Sequence, residues 1–286
     1  MISDSSRSLR PTRRQPSPQQ LVTRHNAVMF YGIAAASLLE SAVALRTRHL
    51  LAEFDGDGEF RAWIELVWSL AKSEHAERAR AYVESMWPEF DWSAAWEAFA
   101  EDYRGVARPS WPRRGIASAA LACSACAAQA AAFYRGFGSA ADDPALRELM
   151  LGMAADEAAH FDSFRRCYER HRQHERLGVL TSYRIIVWCA TRARNVDVQI
   201  AFNRLGALYW FGTAPLQELN YGEFVARMGG VVRRHLPLGP AQRLLFKPWL
   251  NVGDLPAAAA ATQSPLLAHN AQRWSMSRLA GEVYSR

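Results

Sequence analysis

The sequence predicts an all-α protein in which four long helices form two pairs joined by a long crossover, with further helices after them. Three observations predict this. Apolar residues recur at three- and four-residue spacing over long runs. Alanine, the best helix former, is abundant within those runs. Alternating apolar and polar stretches bounded by turn residues, the mark of strands, are few. With 286 residues, half of them hydrophobic, the chain can bury one large core and still carry an added helical layer.

Residues 1–20 are rich in Ser, Arg, Pro and Gln and read as a disordered tail. A helical pattern runs from Leu21 to Phe54, and Asp55-Gly56-Asp57-Gly58 makes a turn. A second long helix, Glu59 to Met86, stops before Pro88, and a short one, Trp92 to Tyr103, follows Asp91 as N-cap. Pro109 and Pro112 precede a third long helix, Arg114 to Phe137. After a turn from Gly138 to Asp143, Pro144 opens the fourth, which extends to Glu175 and ends by Gly178. Residues 21–178 therefore read as a four-helix bundle with one long crossover. Residues 179–286 read as a helical extension packed on it, with helices over Ser182–Trp210 and Pro215–Leu236. Beyond Gly239 the chain is richer in Pro, Asn and Gly, and the alanines at 257–261 suit either a loop or a short helix.

Charge and cysteine usage narrow the setting. The formal charge is +6 and the pI about 9.4, but much of the excess sits in tails and on surface arginines such as Arg7, Arg10, Arg13 and Arg14. No dense basic stripe interleaved with aromatics stands out, so a solvated surface is expected rather than a nucleic-acid interface. Cys123, Cys126, Cys167 and Cys189 lie in apolar helical segments, and no signal-peptide pattern begins the chain. A reduced, cytoplasmic protein is expected. No apolar run is expected to span a membrane, because the best candidate, Ala27 to Leu45, carries Glu40.

Glu40 is the sole acid between Asp4 and Glu53 and shares a helix face with Met29, Ile33, Ala36, Val43 and Ala44. A carboxylate on an apolar face must be paired, protonated or bound to metal, and an ion pair with arginine is the plain alternative. Glu157 and His160 sit in the stripe Leu146, Met150, Met153, Glu157, His160, Phe164, Tyr168. Glu-x-x-His puts a carboxylate and an imidazole one turn apart on one face, where both can reach a single centre between helices. On the second helix, His75 and Lys72 share a face with Ile64, Trp68, Ala79, Tyr82 and Met86. A competing register puts Glu74 and Glu77 with Phe60, Trp63, Val67 and Leu70, and periodicity leaves both open.

This order of residues resembles the ferritin-like di-iron carboxylate superfamily, which includes rubrerythrins, ribonucleotide reductase small subunits and acyl carrier protein desaturases. The superfamily pattern is Glu on the first helix, Glu-x-x-His on the second, Glu on the third and Glu-x-x-His on the fourth. Glu40 matches the first position, His75 the second-helix histidine, and Glu157 and His160 the fourth. The departures are equally specific. Lys72 stands where the family has a bridging glutamate, and Tyr103 to Ala141 contains neither Asp nor Glu. Ser124, Cys126 and Gln129 are the polar residues left to serve on the third helix.

The resemblance implies a metal site of Glu40, His75, Glu157 and His160 holding one or two ions of iron, with manganese as a substitute. The implied activity is a non-haem iron oxidoreductase acting on a small organic or acyl-carrier-bound substrate. Lys72 and Tyr134 are the candidate catalytic residues, Tyr134 as one of several aromatics able to line a channel or relay electrons. Alternatively Lys72 replaces the metal charge as an ion pair with Glu40 and Glu157, leaving a metal-free protein that binds a ligand or catalyses a non-redox reaction. A homodimer is compatible with either reading, and neither a membrane nor a nucleic-acid partner is expected.

Overall fold

The computed structural model describes residues 16–106, 115–191 and 195–235. These are all-α, with no strand among them. Most of the tail expected over 1–20 and everything beyond residue 235, including the alanines at 257–261, lie outside the described residues. The end of that expected tail is helical: α1, Pro18–Arg24, starts at a capping box in which Ser17 and Gln20 bond each other's backbone N–H.

The single helix expected from Leu21 to Phe54 is three. After α1, Asn26 caps α2 (Ala27–Ser41) by accepting from the Val28 and Met29 amides. The chain then bends by 52° into α3 (Val43–Glu53). No proline or glycine marks this bend. Ser37 and Ser41 each donate a side-chain hydrogen bond of 2.8 Å back to a carbonyl in the preceding turn, which loosens and bends a helix. Asp57 caps α4 (Gly58–Trp63), which passes through one wide π turn, Ile64–Trp68, into α5 (Ser69–Met86). The π turn is absorbed within the expected second helix, and it keeps Ile64, Trp68, Lys72 and His75 on one buried face.

α6 (Trp92–Arg104) lies in the long connection, capped by Asp91 as expected. α7 (Ile116–Ala140) and α8 (Pro144–His171) form an antiparallel hairpin, with Asp143 as N-cap and Pro144 in the first turn of α8. Small residues let the two approach closely: a Cβ on Gly138 would lie 2.8 Å from Cβ of Met150. α7 is also long and apolar enough to cross a membrane, contrary to the expectation that no segment is, but most of it is buried against protein. α2 and α5 form the second antiparallel pair, their ends held by Arg24, which bonds the Met86 carbonyl and Glu89.

The expected helix Ser182–Trp210 is divided into α9 (Val179–Thr191), α10 (Asn195–Asn203) and a 3-10 turn at Ala207–Tyr209. The last expected helix begins later, as α11 (Tyr221–His235), with residues 215–220 non-helical. These elements pack on the two pairs: α9 on α7, α10 on α2 and α6, and α11 on α7 and α2. Amides of Asp91 and Phe211 bond across to Tyr209 and Glu89 carbonyls at 2.7 Å, tying the extension to the start of α6. Gly32 and Gly136 permit the close approach of α11. A Cβ on Gly32 would meet Met228 at 2.5 Å, and one on Gly136 would meet the Val232 backbone at 3.1 Å.

Candidate metal centre

The two antiparallel pairs bring Glu40 from α2, Lys72 and His75 from α5, Tyr134 from α7, and Glu157 and His160 from α8 into one buried cluster. All six residues singled out in the sequence are there. The open question of register on the second long helix is also answered. Lys72 and His75 are buried, whereas Glu74, Glu77, Val67 and Leu70 face solvent.

Lys72 sits at the middle. Its Nζ is 2.6 Å from Oε2 of Glu40 and is hydrogen-bonded to Oε1 of Glu157. The other Glu40 oxygen accepts a 2.5 Å hydrogen bond from the Tyr134 hydroxyl. Burial is the largest single effect and raises the pKa of both carboxyls, but the Lys72 ammonium, together with Arg46 and His75 at Glu40 and with His160 at Glu157, outweighs it. Both carboxyls are held below the usual carboxylate range, Glu157 far below it.

The histidines are arranged differently. His75 Nε2 is 2.9 Å from Oδ2 of Asp156, the residue just before Glu157. A carboxylate oxygen accepts, so Nε2 carries the hydrogen, and in the neutral form of the ring Nδ1 is the nitrogen with the lone pair. That Nδ1 is buried, has no hydrogen-bond partner and lies 4.0 Å from Oε2 of Glu40. His160 Nδ1 is likewise buried and unpartnered, 3.7 Å from Oε2 of Glu157. The indoles of Trp63 and Trp68 flank His160, with centroids 6.0 and 6.5 Å from its ring.

Ligand atoms of Glu40, His75 and Glu157 all lie within 4.8 Å of one another. Two carboxylates and an imidazole suit Fe(II) or Mn(II), and the orphaned Nδ1 atoms are donors that a metal would satisfy. The residues therefore fit one ion. They do not make a second complete ligand set, because α7 contributes the Tyr134 hydroxyl where a carboxylate would be needed. Ser124 instead bonds its own helix at Leu121, and burial pushes the Cys123 thiol well up. No known protein family, curated protein or solved structure matches this chain.

A second cluster, Asp57, Cys167 and His171, also places ligand atoms close together. Its groups are already engaged. Asp57 Oδ1 caps the Phe60 amide at 3.0 Å, and its Oδ2 accepts from His171 at 2.8 Å and Arg170 at 2.6 Å. Burial and the neighbouring Asp57 push the Cys167 thiol up to about 12, so the free thiol is protonated at neutral pH. This cluster anchors the start of α4 to the end of α8.

Two participants were not singled out in the sequence. Asp156 precedes Glu157 and could have been flagged as an acid one position off the buried stripe. Arg46 lies past the bend after α2, so helical periodicity carried from Glu40 does not align it with the site.

Proposed function

We propose that this chain is a ferritin-like four-helix bundle, α2, α5, α7 and α8, whose buried centre binds one divalent metal ion and serves an oxygen-dependent oxidoreductase. The reading is supported most by one observation. His75 Nδ1 is buried beside two carboxylates with no hydrogen-bond partner, while Asp156 fixes the tautomer that makes it a ligand. An orphaned buried acceptor costs roughly 1–3 kcal/mol, which a bound metal would recover. The antiparallel pairs and the long connection carrying α6 suit the same scaffold.

Glu40, His75 and Glu157 would hold the ion, with His160 beside Glu157 as a further ligand. Bound iron would supply dioxygen chemistry that no side chain here can perform. The chain's own residues would prepare the site. Asp156 orients His75, and Tyr134 fixes the Glu40 carboxylate by donating to Oε1. Lys72 keeps the carboxylates ionised before metal arrives and competes with it for the same oxygens. Close by, its ammonium and the Tyr134 hydroxyl are the two groups able to deliver a proton. The substrate class is a small organic molecule, free or carried on an acidic carrier that the basic surface would attract.

A second reading is favoured by one contact pattern: Lys72 already bridges Glu40 and Glu157. In that reading the lysine permanently replaces the metal, and the protein binds a ligand or catalyses without redox chemistry. Oxygen uptake after anaerobic Fe(II) loading separates the two. Uptake above that of free Fe(II), lost in Glu157→Ala, is expected for the metal reading. Uptake equal in the two proteins would sink it.

A further inference from the structure

Arg46 stands one bend away from Glu40, in the first turn of α3. Its electrostatic neighbours are Tyr103 of α6, Glu40, Tyr134 and Asp197 of α10. The acids there are bound by other donors. Glu40 takes Tyr134 on one oxygen and Lys72 on the other, and Asp197 Oδ2 takes the Tyr103 hydroxyl at 3.3 Å. Nε and Nη2 of Arg46 are both buried and both lack a hydrogen-bond partner.

Those two atoms form one edge of the guanidinium. Their N–H bonds run parallel, and the edge matches the two oxygens of a carboxylate. Leaving two charged donors buried and unmet is costly, more so than leaving neutral ones. Arg46 as a residue is half-buried, while its Nε and Nη2 are fully buried.

We propose that Arg46 is the anchor for a carboxylate on the substrate, which would hold the oxidisable part of a small organic acid beside the Glu40–Glu157 centre. This names a substrate class for the proposed oxidoreductase and rests on that reading for the reaction, while the binding step stands on Arg46 alone.

Binding of hexanoate and benzoate to the full chain, with hexanol and benzyl alcohol as uncharged counterparts, tests it by calorimetry. Arg46→Gln removes the fork, and Arg46→Lys keeps the charge without it. Saturable binding of at least one carboxylate, weakened about tenfold or more in both variants and absent for the matching alcohol, is expected. Unchanged affinity in Arg46→Lys, or no carboxylate binding to the unaltered protein, would overturn the assignment. Should Arg46→Gln fail to fold, the Arg46→Lys comparison still decides. Metal content measured on the same samples separates this from the metal reading, since neither variant removes a proposed ligand.

Discussion

Asp156 Oδ2 lies 2.9 Å from Nε2 of His75, and this contact joins α8 to α5 at the edge of the buried centre. Asp156 is half exposed, whereas His75 is buried, so the carboxylate reaches inward to set the ring. Asp156→Asn should leave the fold intact and lower metal affinity by about 10–100-fold, the usual effect of losing an orienting partner. Competition with a chelator of known affinity measures it. Unchanged affinity would mean that His75 is not a ligand.

Lys72 is the charge that lets two carboxylates share the interior. Lys72→Met should destabilise the metal-free protein by roughly 3–5 kcal/mol, because breaking a buried pair leaves unmatched charge. The same change should tighten metal binding, since the ammonium no longer competes. Urea unfolding with and without Mn(II) checks both effects. A variant as stable as the parent without metal would contradict the ion-pair geometry.

Gly136 lets α7 meet α11 backbone to backbone. Gly136→Ala should cost about 1–3 kcal/mol through overpacking against Val232, read as a fall in the urea midpoint. Metal content should not change, because Gly136 lies outside the cluster.

Asp57 governs stability in acid. Burial raises its pKa, but the Phe60 amide, His171 and Arg170 outweigh burial and hold it low. A carboxyl depressed in the folded state stabilises above its unfolded value, about 4, and loses that contribution as pH falls through the folded value. Asp57→Asn should therefore be less stable than the parent at pH 7, with the gap closing below about pH 4. Equal stability at pH 7 would show that the Asp57 contacts contribute nothing. Asp57→Ala should cost a further ~1 kcal/mol at all pH by removing the helix cap.

Much of this was legible in the sequence, and the reasons differ by residue. Glu40, Glu157 and His160 announced themselves because polar groups on apolar stripes need partners. The cap Asp91 and the proline Pro144 marked helix starts by local chemistry alone, whereas Asp143, read as the end of a turn, is the N-cap of α8. Choosing Lys72 and His75 over Glu74 and Glu77 needed the partner helix: both faces repeat at helical spacing, and only packing against α2 and α8 buries one. The bend after Ser41 arises from serine hydroxyls bonding backward, a signal weaker than proline or glycine, so α2 and α3 read as one helix. Arg46 was hidden for the same reason, because the bend breaks the periodicity that would have linked it to Glu40. The long third helix was foreseen, but its use as an acid-free wall that donates only Tyr134 depends on its rotation against α2.

The measurement that bears most directly on the central claim is metal analysis of protein expressed with added iron and manganese, beside Glu157→Ala. About one ion per chain, lost in the variant, is the result expected from a single site formed by Glu40, His75 and Glu157. No metal in either protein would contradict it and leave Lys72 as the permanent counter-charge of a metal-free bundle.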